Sequence, residues 1–112
     1  MKFLNLELKD NGVGLLTIAR PEALNALNEP LLLELDELLT QIANDQKIKV
    51  LVITGSGRAF IAGADIAAMH QMASEQAKEF ALLGQRIFSK LAALPQPSIA
   101  AINGFALGGG LE

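Results

Sequence analysis

Two apolar segments constrain the fold of this chain most. Residues 48–54 read IKVLVIT and residues 98–102 read SIAAI. Both segments are almost free of polar side chains, which is typical of strands that are buried on both faces. Such strands occur in parallel sheets that helices cover on each side. The sequence therefore predicts a layered α/β fold.

The N-terminal segment has the period of two that marks a β-strand. Within residues 3–8, leucine alternates with Phe, Asn or Glu, and this alternation predicts one strand. Asn11-Gly12 follows, a pair that tolerates the positive φ angles of a tight hairpin turn. Residues 13–19 are therefore predicted to return as a second strand, which ends before Pro21 because proline has no N–H for the ladder.

Three further segments have helical patterns. From residue 31 to 43, apolar side chains recur every three or four positions, and Asn28 is the predicted N-cap of this helix. A short helix is predicted to begin at Asp65, and Ser74 is predicted to cap a longer one. The predicted order of elements is ββ, α, β, α, α, β, and residues 1–112 are predicted to form a single domain.

Composition and charge exclude several classes of protein. The chain is 51% hydrophobic, with nine basic and twelve acidic residues and no basic cluster, so nucleic acid is not an expected partner. It has no cysteine and one histidine, which leaves no thiolate nucleophile and no thiol or histidine set for a metal. No membrane span or targeting pattern is recognisable, and the cytoplasm is the expected compartment.

The first glycine-containing loop, GSGRAFIAGADI, covers residues 55–66. It does not fit a dinucleotide fingerprint, because Phe60 stands where that motif needs a small residue. In residues 62–65 the small side chains leave backbone N–H groups uncovered, next to the positive end of a predicted helix. Two interpretations remain open at this point: an anion site, or an ordinary loop in which Asp65 caps the helix.

The second such loop is ALGGGLE, residues 106–112, which follows the second apolar strand. Glycines without Cβ atoms allow a ligand carbonyl to approach the backbone closely. Uncovered N–H groups on two loops that meet outside the strand ends would form an oxyanion hole. Glu112 is predicted to lie beside it at the start of a helix. Taken alone, Glu112 is interpreted more simply as an acidic residue in a first helical turn.

Three motifs in order carry a family resemblance. They are RPEALNALN at 20–28, GRAFIAGADI at 57–66 and PSIAAINGFALGGGLE at 97–112. With these motifs the chain resembles the enoyl-CoA hydratase/isomerase family, the crotonase superfamily. The resemblance implies a crotonase-like layered ββα spiral. It covers about the N-terminal half of a family catalytic domain, so the domain over residues 1–112 is expected to be incomplete at its C-terminal side.

The resemblance also implies an active site for an acyl-CoA thioester. The thioester oxygen would lie between the backbone N–H groups of Ala64 and Gly109. Glu112 would be the first of two glutamates that activate water for addition to 2-trans-enoyl-CoA, giving 3-hydroxyacyl-CoA, with no metal and no cofactor. The second glutamate would lie beyond residue 112. The residues expected to contact the CoA thioester are Ala23, Leu24, Ala26, Ala62, Asp65 and Ile66.

Two alternative functions stay open from the sequence. The same site could perform double-bond isomerisation or another enolate reaction of acyl-CoA, because the acid and base vary among relatives that share the oxyanion hole. The chain could instead be an inactive truncated fragment that acts only in binding or assembly. By resemblance, a homo-oligomer, either a trimer or a hexamer, is expected for the full-length protein.

Overall fold

A computed structural model describes residues 1–112, which form six strands and three α-helices. In chain order they are β1 Leu4–Leu8, β2 Val13–Ile18, α1 Glu29–Ala43, β3 Val50–Gly55, β4 Ala59–Ile61, α2 Ile66–Met69, α3 Ser74–Ala92, β5 Ser98–Ala100 and β6 Phe105–Ala106. Short 3-10 turns occur at Asp10–Gly12, Pro21–Ala23 and Gly108–Gly110. The mixed α/β class predicted from the sequence is confirmed.

The main sheet has four strands in the order β1-β2-β3-β5. The β1–β2 pair is antiparallel, and the two following pairs are parallel. Asn11 and Gly12 turn the chain between β1 and β2 with φ angles of 64° and 83°. The hairpin predicted from Asn-Gly is therefore confirmed, together with the positive φ angles on which it depends.

Helix α1 covers one face of the sheet. It begins as predicted, because the Asn28 side chain accepts a hydrogen bond from the Leu31 N–H at 3.0 Å. Helix α3 packs beside it through the buried Ile87, and Lys90 forms an ion pair of 2.7 Å with Asp36 of α1. The buried side chains of α1 are Leu31, Leu32, Leu35, Leu38, Leu39 and Ile42.

No helix of the chain is both long and apolar enough to cross a membrane.

The predicted N-cap of α3 is wrong by one residue. Ala73 is the N-cap, and Ser74 lies in the first turn. The N-terminal end of α3 is instead stabilised by the Gln76 side chain, whose oxygen accepts a hydrogen bond from the Ala73 N–H at 3.0 Å. A glutamine three residues into a helix can satisfy the capping residue's own N–H without a hydroxyl at that position.

The two apolar strands are less covered than their sequences predict. In β3, Leu51 and Ile53 are buried, but the alternate residues on the other face are only half-buried. All three residues of β5 are exposed, and Ile99 retains 54% of its accessible surface. The prediction that residues 98–102 are buried on both faces is wrong for this chain, because β5 pairs only with β3 and its contact with the helices is slight.

A second sheet was not predicted. Strands β4 and β6 are only three and two residues long, and they pair in parallel apart from the main sheet. Strand β4 lies inside the loop predicted for residues 55–66, and β6 overlaps the start of the loop predicted for residues 106–112. Both strands lead directly into glycine-containing turns, so this small sheet decides how the candidate site is assembled.

Candidate active site

The β4–β6 pair brings the two glycine-containing loops together. Ile61 pairs with Ala106, and the Leu107 N–H donates to the Ile61 carbonyl oxygen at 3.1 Å. Because the strands are parallel, the chain leaves both in the same direction. Gly63 and Gly108 are neighbours beyond the strand ends, since a Cβ on Gly108 would lie 3.7 Å from the Gly63 Cα. Two loops more than forty residues apart in sequence therefore meet, as the sequence predicts.

The backbone at Ala64 leaves one N–H group without a partner. A parallel bridge joins this position to Leu27. The Leu27 N–H donates to the Gly63 oxygen at 2.8 Å, and the Asp65 N–H donates to the Leu27 oxygen at 2.8 Å. In such a bridge the N–H of the central residue points away from the partner strand. The Ala64 N–H donates no hydrogen bond within the chain.

The glycine run forms a 3-10 turn that glycine alone fits. Gly108 has a φ of 52°, and a Cβ on Gly110 would overlap the Ile61 carbonyl oxygen. The Gly110 N–H donates to Leu107 at 2.8 Å and the Leu111 N–H donates to Gly108 at 3.0 Å. These two bonds close the turn without using the N–H of Gly109. A second backbone donor therefore remains outside the hydrogen bonding of its own turn.

Ala64, Gly109 and Glu112 line one cavity of about 240 Å³. Glu112 is exposed and lies two residues beyond the 3-10 turn Gly108–Gly110. A larger cavity of about 320 Å³ lies between the main sheet and helices α1 and α3, and it is almost wholly apolar apart from Ser98 and Glu112. The smaller cavity is lined by Leu27, Leu32, Ala64, Met69, Ala77, Phe80, Ala81, Gly84, Gln85, Phe88, Gly109 and Glu112.

The residues expected to contact CoA lie on two adjacent segments. Leu24, in a left-handed conformation with a φ of 53°, accepts a hydrogen bond from the Ala62 N–H at 3.1 Å. Ala23 and Ala26 flank it and are half-buried, whereas Ile66 keeps 72% of its surface exposed. The structure thus brings the RPEALNALN and GRAFIAGADI motifs together, a contact that the distance between them in the sequence does not predict.

Asp65 has two partners that hold its carboxylate. One oxygen forms an ion pair with the Arg20 guanidinium at 2.7 Å, and the other accepts the Ala68 N–H at 3.1 Å. Asp65 is therefore the N-cap of α2, the simpler of the two interpretations of this loop. The hydrogen bond from Arg20, followed by the one from the Ala68 N–H, holds the pKa of Asp65 below its ordinary value.

Two asparagines that sequence analysis missed tie these loops together. The side chain of Asn25, which is completely buried, accepts from the Arg20 N–H at 2.8 Å and donates to the oxygens of Ser56 and Ala59 at 2.9 Å each. Asn103 also donates to Ala59, at 3.1 Å. Their roles are visible only in the structure, through the burial of Asn25 and the hydrogen-bond partners of both side chains.

The lowered pKa of Asp65 predicts a specific dependence of stability on pH. A depressed carboxyl pKa contributes stability above the ordinary value of about 4, and the contribution is lost as the pH falls through the lowered pKa. We therefore expect Asp65→Asn to lower the free energy of unfolding at pH 7 and to flatten its decline between about pH 5 and pH 3. Urea unfolding of the intact gene product at several pH values measures this. Glu37→Gln, on an exposed carboxylate with no ion pair, is the charge-matched control. Equal pH slopes for wild type and Asp65→Asn would contradict the prediction.

The fold and this site together define a member of the enoyl-CoA hydratase/isomerase class. The family model of that description matches residues 8–112, and the chain belongs to this family. It is similar to a crotonyl-CoA hydratase of Syntrophomonas wolfei, with 46% identity over all of this chain and 44% of that protein. It is also 45% identical to a short-chain-enoyl-CoA hydratase of Clostridium acetobutylicum, over the same shares of the two chains.

Solved structures give the same result for the fold. The crystal structure of an enoyl-CoA hydratase from Bacillus anthracis superposes on 97% of this chain with a TM-score of 0.95 and 36% identity, and the match covers 43% of that protein. An enoyl-CoA hydratase from Thermoplasma volcanium matches all of this chain with a TM-score of 0.91. The crotonase-like fold expected from the motifs is confirmed. The chain spans less than half the length of these relatives, which agrees with the expected N-terminal portion.

Proposed function

We propose that the protein carrying this chain is an enoyl-CoA hydratase, which adds water to a 2-trans-enoyl-CoA and gives the 3-hydroxyacyl-CoA. One observation carries the proposal: Ala64, Gly109 and Glu112 line the same cavity, and the first two offer N–H groups that their own segments do not use. The relatives named as hydratases of crotonyl-CoA and short-chain enoyl-CoA support it.

In this proposal the two N–H groups stabilise the oxygen of the thioester. Addition of water to the enoyl double bond passes through an enolate-like state, in which negative charge develops on the thioester oxygen. Fixed backbone donors aimed at that oxygen contribute on the order of 3 kcal/mol each. Ala64 and Gly109 belong to separate loops, and the β4–β6 pair and the Leu27–Ala64 bridge fix both of their N–H groups by backbone hydrogen bonds of the fold.

Glu112 is proposed to handle the proton of the attacking water. Glu112 lines the same cavity as Gly109, and the proposal puts the α and β carbons of a bound enoyl group within reach of its carboxylate. The water oxygen bonds to the β carbon while one of its protons passes to a carboxylate, and a proton is added at the α carbon. Hydration transfers no electrons overall, so the proposal includes no redox cofactor, and the two backbone N–H groups polarise the thioester carbonyl without a metal.

Apolar side chains around the same cavity suit the acyl part of the substrate. Met69, Phe80 and Phe88 contribute to the walls, and Gln85 is the one neutral polar side chain among them. The resemblance places the CoA part along the 23–26 and 62–66 segments, which the hydrogen bond between Leu24 and Ala62 holds side by side.

Double-bond isomerisation on the same site is a second candidate, which the description of the matching family also includes. A carboxylate at Glu112 could carry a proton between two carbons of an enolate without adding water. Incubation of 2-enoyl-CoA and 3-enoyl-CoA in D₂O, followed by NMR of the products, separates the two. A 3-hydroxyacyl product supports hydration, whereas a shifted double bond without a hydroxyl group supports isomerisation.

Binding or assembly without catalysis is the third candidate, and the exposed apolar residues of the C-terminal segment are the observation in its favour. Ile102, Phe105 and Leu111 each retain more than half of their accessible surface. If the chain acted only in binding or assembly, the intact gene product would lack acyl-CoA turnover and would still form defined oligomers in gel filtration. A trimer or hexamer with turnover agrees with the hydratase proposal.

The proposed oxyanion hole predicts a spectroscopic signature. Infrared difference spectra of the intact gene product with a thioester labelled at the carbonyl carbon should show the C=O stretch at lower frequency than in solution. Two hydrogen bonds to the oxygen polarise the carbonyl and weaken its double bond. The spectrum of Glu112→Gln should show the same shift, because the donors are backbone groups. A carbonyl band at its solution frequency would contradict the role of Ala64 and Gly109.

A further inference from the structure

We propose that Arg20 is a positioning residue for the oxyanion hole and that it also cancels a negative charge beside it. The inference rests on the proposed function. It changes the expected role of Asp65, which the resemblance places among the residues that contact CoA. Arg20 stands at the beginning of the first motif, where sequence analysis gave it no role.

The guanidinium of Arg20 fastens the bridge that presents the Ala64 N–H. Its Nη1 donates to the Ala26 oxygen at 2.9 Å, and its Nη2 donates to the Asp65 carboxylate at 2.7 Å. Ala26 precedes Leu27 and Asp65 follows Ala64, so one planar group holds both sides of the Leu27–Ala64 bridge. A fork of rigid donors fixes two acceptors at once, which a lysine cannot do.

Arg20 is itself held in place by the buried asparagine. Its N–H donates to the Asn25 side chain at 2.8 Å, and its oxygen accepts the Asn25 N–H at 2.9 Å. The side chains of Arg20 and Asp65 keep only 16% and 14% of their surface exposed. Both side chains are shielded from solvent and make further hydrogen bonds. The ion pair is therefore held in one geometry, unlike an exposed pair, whose side chains move freely in water.

The charge of Asp65 gives Arg20 its second role. Asp65 directly follows Ala64, so an unpaired carboxylate there would repel the negative charge that develops on the thioester oxygen in the transition state. The guanidinium neutralises that carboxylate. The low pKa of Asp65 agrees with an ionised and paired group. Loss of Arg20 alone should therefore be worse for turnover than loss of both partners.

A double-mutant cycle in the intact gene product tests this inference. We expect Arg20→Gln to lower kcat for hydration of 2-enoyl-CoA by about 10- to 100-fold, with less than about a threefold change in KM. The double variant Arg20→Gln/Asp65→Asn should regain about threefold or more in kcat over Arg20→Gln, because the repulsion is gone. The carbonyl stretch of a bound thioester should move back toward its solution frequency in Arg20→Gln.

Two further variants keep the test decisive. Arg86→Gln removes the same charge from an exposed ion pair with Asp36 that lines neither cavity, and it should leave kcat unchanged. If Arg20→Gln does not fold, Arg20→Lys keeps the charge but loses the fork, and it should still lower kcat several-fold. Wild-type kcat in the Arg20 variants, or a double variant no better than Arg20→Gln, would overturn the inference. Absence of turnover in the wild type would instead overturn the proposed function.

Discussion

Replacement of Glu112 by Gln in the intact gene product is expected to lower kcat for hydration of 2-enoyl-CoA by about 10²- to 10⁴-fold. Glutamine keeps the size and the hydrogen-bonding capacity of the side chain but cannot accept the proton of the attacking water. Binding should be retained, because the thioester oxygen is held by backbone N–H groups. Steady-state kinetics gives kcat, and titration with the saturated acyl-CoA gives the dissociation constant.

The matched control for this prediction is Glu37→Gln. Glu37 is an exposed glutamate of α1 that lines neither cavity, so the substitution changes the net charge equally and should leave kcat unchanged. If Glu112→Gln keeps wild-type turnover, Glu112 has no part in the mechanism. If it loses binding together with turnover, the side chain contributes to substrate binding and the base must be sought elsewhere.

Local sequence signals predicted those parts of the fold that depend on neighbours in the chain. The Asn11-Gly12 turn and the Asn28 cap are properties of a few consecutive residues, and both are confirmed. The period of α1 predicted its buried face for the same reason. Strands β4 and β6 escaped prediction because two or three residues carry no period, and each exists only by pairing with the other.

The burial of β5 could not be predicted for a different reason. The apolar sequence of a strand predicts that both of its faces are buried, but it does not identify the elements that cover them. In this chain the neighbouring elements leave all of Ser98–Ala100 exposed, and Ile102 beyond it is exposed as well. The pattern was interpreted correctly as a strand, and the error concerned its surroundings.

For the candidate site, the sequence predicted the two loops but not the contacts that hold them. The small residues near Ala64 and the glycine run predict uncovered backbone N–H groups, and the family resemblance identifies the individual residues. The pair of Arg20 and Asp65 spans 45 positions, and no local rule links them. The buried Asn25 likewise donates to Ala59, 34 positions away. These contacts follow from the fold, so they could be found only in the structure.

The largest effect on stability is expected for Gly110→Ala. A Cβ at this position would overlap the Ile61 carbonyl oxygen, and it would also lie 2.9 Å from the Ile61 Cβ. The carbonyl cannot move aside easily, because it accepts the Leu107 N–H at 3.1 Å within the β4–β6 pair. We expect the free energy of unfolding of the intact gene product to fall by about 3 kcal/mol or more, at the upper end of overpacking effects. Urea unfolding measures the change.

Gly84→Ala provides a control of the opposite sign for the same substitution. Gly84 lies in the interior of α3, where a Cβ would meet only the Leu32 Cδ1 at an ordinary distance of 3.9 Å. Alanine is favoured over glycine in a helix interior by about 1 kcal/mol, so Gly84→Ala should raise the free energy of unfolding. Equal effects of the two substitutions would contradict the steric account of Gly110. If Gly110→Ala is destabilised but keeps wild-type kcat at low temperature, the glycine run serves packing alone. If the folded variant loses kcat, the close contact between Gly110 and Ile61 also sets the position of the Gly109 N–H.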